Sequence, residues 1–205
     1  MPPVPRAGLR RTPRQQRSKE MVERIIDAGQ AVLIAHGYEG ASTNRIARAA
    51  GISPGSLYQY FPNKDAVLGA AIDRYNSEVS DRVRAQVLEN MPEPPEVALR
   101  QSISALLDAL GNQPELLRAV VEQTPRLSVE HTVVSFEDQI ADLTRAALTL
   151  RGYRLHDDTD IPTAAWMLVR TVEHLTVRYI LDQPDIPRDT FLTNITRMIL
   201  NYFRR

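Results

Sequence analysis

Residues 42–64, STNRIARAAGISPGSLYQYFPNK, decide the fold of this chain. They read as two short helices joined by a glycine turn. Ser42 or Thr43 caps the first, which runs to Ala50, because a hydroxyl there can accept an otherwise orphaned backbone N–H. Gly51 turns the chain, where left-handed geometry is needed. Ser53 caps the second helix, with Pro54 at its first position, where a missing N–H costs nothing. Asn63 caps a further helix, and Asp65 in its first turn favours the dipole. Ala47 is the small residue at which the two helices can cross. Ile46, Ala50, Ile52 and Leu57 lock the pair.

The second helix of such a pair is suited to the major groove of DNA. Its start, Ser53, Pro54, Gly55 and Ser56, carries no bulk, so the backbone can approach phosphates or base edges closely. A helix N-terminus also attracts phosphate. Gln59 can bond an adenine edge bidentately and is the best candidate for direct base reading. Tyr58 and Tyr60 can offer hydroxyls to phosphates, and of the two Tyr60 is the better candidate for packing inward. Thr43, Asn44 and Arg45 should contact the DNA backbone, with Asn44 or Arg45 also able to reach a base. Lys64 should meet a phosphate. Arg48 fits a solvated surface equally well.

Upstream, Val22, Ile25, Ile26, Gly29, Val32 and Leu33 recur at helical spacing. A helix over 18–36 is expected, capped by Ser18 and stopped by Gly37. Residues 1–17 hold four prolines and five arginines, and read as a mobile basic arm able to enter a minor groove or to serve only as a solubilising tail. The net charge of zero hides an asymmetry. Residues 1–64 carry ten Lys and Arg against four Asp and Glu, and the remainder fifteen against twenty-one. A basic front third suits a nucleic-acid partner.

The run HGYEGASTNRIARAAGISPGSLYQYFPNKDAVL, residues 36–68, resembles the N-terminal domain of the tetracycline-repressor (TetR) family of bacterial transcription regulators. The resemblance covers about residues 18–70. It implies a homodimer on a palindromic operator, usually a repressor. It also implies a divergent C-terminal domain that holds an inducer pocket and the dimer interface. The organisation expected is a basic arm at 1–17, a helix-turn-helix domain at 18–64, and a ligand-binding and dimerisation domain at 65–205.

From residue 65 onward the pattern is helical throughout, so the fold class is all-α, with about nine helices. The helix opened by Asn63 should reach about Asn90, where MPEPP breaks it. Further runs are expected at 96–111, 115–123, 127–151, 162–182 and 188–204, punctuated by Gly111, Pro114, Pro125, Gly152, Pro184 and Pro187. The last two helices are apolar on more than one face: Ala165, Leu168, Val172, Leu175 and Tyr179 beside Trp166, Val169, Thr176 and Ile180, then Phe191, Ile195, Met198 and Tyr202 beside Leu192, Ile199 and Phe203. One face can meet the core and the other a partner subunit.

His131, Phe136, Trp166, Met167, Arg170 and His174 lie within apolar patterns and are candidates for a pocket lining. Arg170 and His174 share a helix face and could bind an anion. With Glu173 close by, a structural pair or a polar dimer contact is the plainer reading. His156, Asp157, Asp158 and Asp160 read as a solvated acidic turn, and no metal site is expected. The absence of cysteine removes disulfides, thiolate metal sites and cysteine nucleophiles. With no Ser/His/Asp order in supporting turn chemistry either, an enzyme is not expected, and no cofactor is implied. No run suits a signal peptide or a membrane span, so a cytoplasmic location is expected.

Two functions share the N-terminal residues. One is a repressor released from its operator by a small molecule. The other is a DNA-binding activator or architectural factor without an inducer, which a filled core lacking a cavity of about 300 Å³ would favour.

Overall fold

The computed structural model describes residues 13–127, 130–150 and 160–203, giving the backbone alone at 13–15, 123–127, 130–137, 139 and 203. Those residues form nine α-helices and no strand: α1 (Pro13–Gly40), α2 (Thr43–Ala49), α3 (Pro54–Tyr58), α4 (Lys64–Glu89), α5 (Pro95–Gly111), α6 (Pro114–Leu127), α7 (Glu130–Leu150), α8 (Ile161–Asp182) and α9 (Arg188–Phe203). The all-α expectation holds.

The boundaries differ in three places. α1 begins at Pro13, five residues before the expected cap, because proline is tolerated in a first turn. Arg17 and Lys19, expected to lie before or at the helix start, are therefore exposed on α1. Helical geometry does break at Gly37 (φ 63°), but one more turn follows to Gly40. α6 runs two residues past Pro125. A proline in the last turn forfeits a single i→i−4 bond, so it did not end the helix.

The chain divides after Ala71, inside α4, into two compact units. In the first, Ile25, Leu33, Ile46, Leu57 and Leu68 are fully buried. Val67, Leu68 and Ala71 belong to this core with no exposure at all. The approach of α1 to α4 depends on Gly29, since a Cβ there would stand 2.6 Å from Cγ1 of Val67.

In the second unit, α5, α8 and α9 bury Ile103, Leu107, Ala164, Ala165, Leu192, Ile195 and Ile199 together. The Tyr179 ring stacks on Phe191 at 4.3 Å, and its hydroxyl donates to the Ile186 carbonyl at 2.8 Å. Arg188 ties the start of α9 to Asp108 on α5 at 2.6 Å. That carboxylate holds the guanidinium pKa above its ordinary value. α8 closes on Gln183, which takes left-handed geometry (φ 47°) without being glycine.

Candidate nucleic-acid interface and effector cavity

α2 and α3 are built by the caps that their sequence announces. Ser42 Oγ accepts from the Arg45 N–H at 3.2 Å, so Ser42 rather than Thr43 is the cap of α2. Ser53 Oγ accepts from the Ser56 N–H at 3.1 Å, and Asn63 Oδ1 accepts from the Ala66 N–H at 2.8 Å. Between the helices Gly51 adopts φ 66°, and the Ile52 N–H returns to the Ala47 carbonyl at 3.0 Å. Ile46, Ala47 and Leu57 have no exposure and Ala50 has 4%. Ile52, the remaining member of the predicted lock, is half-buried. The apolar side chains face inward, so the polar ones are left outside.

Asn44, Arg45, Arg48, Ser53, Pro54, Gly55 and Gln59 are exposed. Tyr58 is 55% exposed while Tyr60 is half-buried, as their order of preference predicted. The Tyr58 hydroxyl lies 3.2 Å from Thr43 Oγ1, which brings the starts of α2 and the end of α3 to one polar surface. α3 has only five residues, so Gln59 is its C-cap rather than a mid-helix residue. The dipole of so short a helix is small, and side-chain donors must do most of any phosphate holding.

Two of the expected DNA contacts are already engaged within the protein. The Arg45 guanidinium donates to the Gly40 carbonyl. Lys64 Nζ donates to the Tyr38 carbonyl at 3.1 Å and stands 4.1 Å from the centroid of the Tyr38 ring. The Tyr38 hydroxyl in turn donates to Asp65 Oδ1 at 2.9 Å. Lys64 thus holds the segment after α1 against the start of α4, through a hydrogen bond and a cation–π contact. Reading the lysine as a phosphate contact overlooked this. The signal was the aromatic at position 38, a plausible seat for an ammonium.

In the second unit an apolar cavity of about 180 Å³ lies among α4, α5, α7, α8 and α9. Its walls include Val87, Leu99, Leu106, Leu143, Leu168 and Val172. The polar groups on it are Asn90, Ser102, Thr144 and Glu173. None of the predicted lining residues with a described side chain is among them. Trp166 and Met167 are 57% and 44% exposed. Arg170 is half-buried and His174 exposed, and neither lines the cavity. The side chains of His131 and Phe136 lie outside the described residues. Helical phase accounts for Met167 and His174, which lie on the side of α8 away from Val169, Val172 and Thr176; Trp166 shares the stripe of Glu173 but stands about one turn from the helix start and is exposed. Glu173 sits four after Val169 and three before Thr176, a spacing that would have singled it out.

Of the acidic turn, 156–158 lie outside the described residues. Asp160 caps α8, accepting from the Thr163 N–H at 2.7 Å. That bond holds its carboxyl below the usual range. No group of three metal-binding side chains occurs among the described residues, and none of the described helices is long and apolar enough to cross a membrane.

A helix-turn-helix with a polar outer surface, followed by a helical bundle, defines a class of DNA-binding regulator. Residues 25–71 match the family described as bacterial regulatory proteins, tetR family. Residues 94–203, more than half of the chain, match the tetracyclin repressor-like C-terminal domain. The chain belongs to the TetR family of transcriptional regulators. Members of that family are regulatory proteins rather than enzymes.

Among its relatives is the HTH-type transcriptional regulator EthR of Mycolicibacterium smegmatis, 32% identical over 57% of this chain and 55% of that protein. The match thus spans little more than half the length of that relative. The HTH-type transcriptional repressor DhaR of Mycobacterium sp. (strain GP1) is 24% identical over 87% of this chain and 91% of its own length. Among solved structures, FadR of Bacillus subtilis in complex with stearoyl-CoA superposes with a TM-score of 0.65 at 18% identity, covering 89% of this chain and 99% of that one. That likeness is one of fold.

Proposed function

We propose that the protein is a repressor that binds a two-fold operator as a homodimer and is released by a small apolar effector. The observation that carries this reading is the coexistence of an outward polar surface on α2 and α3 with an apolar cavity in the bundle. Thr43, Asn44, Ser53, Pro54, Gly55, Ser56 and Tyr58 form the backbone-contacting surface, and Gln59 reads a base. Arg45 and Lys64 keep spare N–H donors beyond their internal bonds and add charge near the phosphates.

The dimer reading is supported by the exposed apolar groups of the last two helices. Trp166 and Met167 on α8, with Met198 (49% exposed) and Tyr202 (37%) on α9, lie open to solvent. The Tyr202 hydroxyl is 4.0 Å from the Met167 sulfur, so the two helices present one continuous patch. Such a patch favours a second apolar surface over water. A two-fold dimer would read two half-sites spaced by a helical turn or a multiple of it.

At about 180 Å³ the cavity falls short of the ~300 Å³ of a drug-sized pocket, which by size alone favours the factor without an inducer; its aliphatic lining on five helices is what supports an effector. A compact effector, or one that widens the site as it enters, suits it. An effector that prefers the head spacing unsuited to DNA would lower operator affinity by its differential affinity for the two states. Selection of tight binders from random duplex DNA should return an inverted repeat, and Trp166→Asp should yield monomers by sedimentation and lose that preference. Recovery of a single unrepeated site, or a Trp166→Asp protein that stays dimeric, would overturn the dimer reading.

A further inference from the structure

We infer that the cavity takes an apolar molecule bearing a positively charged, hydrogen-bond-donating head, with Glu173 as the counter-charge. This rests on the effector reading of the cavity proposed above. The walls are aliphatic on five helices, so the body of the ligand must be apolar. The polar groups determine its head. Among the described lining residues there is no lysine, arginine or histidine, and one carboxylate, that of Glu173.

Of the other polar groups, Thr144 is left as an acceptor, while Asn90 and Ser102 can both accept and donate. Thr144 spends its hydroxyl hydrogen on the Ile140 carbonyl at 2.8 Å, which leaves lone pairs toward the cavity. Asn90, 3% exposed, directs its amide N–H toward Ser102 Oγ at 3.5 Å, and its Oδ1 accepts from Gln86 at 3.4 Å. A carboxylate accepts only. A carboxylate on an otherwise apolar wall favours an ammonium, through a charge-assisted hydrogen bond at low local dielectric. It disfavours a ligand carboxylate or phosphate, whose charge would face Glu173. The sign is opposite to the one that Arg170 and His174 would have set, because Glu173 lines the cavity and those two do not.

The test uses octylamine, octanol and octanoate with the full chain at pH 7, measured by titration calorimetry. Octylamine should bind at least about tenfold more tightly than octanol, and octanoate most weakly. Glu173→Gln should bring octylamine to the level of octanol and leave octanol within about twofold. Octanoate binding as tightly as octylamine would overturn the inference while keeping the cavity as an effector site. So would an amine preference that survives Glu173→Gln. Should Glu173→Gln fail to fold, the ranking of the three probes on the unaltered protein still decides. If none of the three binds, the effector reading itself falls and takes this inference with it.

Discussion

The two units of this chain satisfy their interiors to different degrees. In the N-terminal unit, Ile25, Leu33, Ile46, Leu57 and Leu68 are closed off from water, and the hydroxyls and amides nearby serve as caps. The C-terminal unit holds a partly open cavity of about 180 Å³. It buries Tyr75 Oη, Asn76 Nδ2 and Thr196 Oγ1 without a hydrogen-bond partner among the described residues. Burial pushes the Tyr75 hydroxyl up to about 12, so it remains protonated at any working pH. A region that must present one surface to DNA gains from a single packed state. The C-terminal unit keeps both open volume and unmet polar groups, and the three unmet groups lie off the described walls of that cavity.

Substitution of a core leucine in each unit tests this contrast most severely. Leu57→Ala should cost about 2–5 kcal/mol in denaturant unfolding, since it opens a cavity in a filled core. Leu168→Ala, which enlarges a void already present and removes a half-buried side chain, should cost about 1 kcal/mol. Equal costs would erase the distinction between the units. On the DNA side, Gln59→Ala should lose roughly 1–3 kcal/mol on the selected operator and little on random duplex. Equal loss on both would remove Gln59 from base reading.

Lys64→Ala sharpens the picture further. Its ammonium is bound to Tyr38, so the change should lower the melting temperature of the N-terminal unit and weaken all DNA sequences alike. The slope of log K against log salt should change by less than the unit of about 0.9 expected of a phosphate contact. A full unit of slope with unaltered melting would make Lys64 a phosphate contact first and a structural tie second.

The smallest effect concerns Asp160. Its folded pKa lies below the free value of 3.8, so the cap is fully in place above that pH and weakens as pH falls through the lowered value. Asp160→Asn should keep the cap and remove this acid sensitivity, read as the difference in melting temperature between pH 5 and pH 2. An unchanged acid response would place the sensitivity elsewhere.

Legibility followed the range of the constraint. The caps Ser53 and Asn63, the Gly51 turn and the inward set Ile46, Ala47, Ala50 and Leu57 are local, and each was readable from spacing of one to seven residues. The Tyr58 and Tyr60 preference was readable for the same reason. The cavity was not, because its lining is assembled from five helices and depends on the rotation of each. On α8 a reading by residue type chose Trp166, Met167, Arg170 and His174, whereas the cavity wall there is Leu168, Val169, Val172 and Glu173. The seat of Lys64 on Tyr38 joins positions 26 apart in sequence, beyond the reach of any periodicity.

The methyl-free position at Gly29 carries a practical consequence for recombination between regulators of this kind. The N-terminal core borrows Val67, Leu68 and Ala71 from the opening turns of α4, and only glycine lets Val67 come so near. A chimera that transplants this operator preference should therefore be spliced after Ala71. Spliced at Lys64, the donor head would keep its DNA-facing residues and lose the wall they are mounted on.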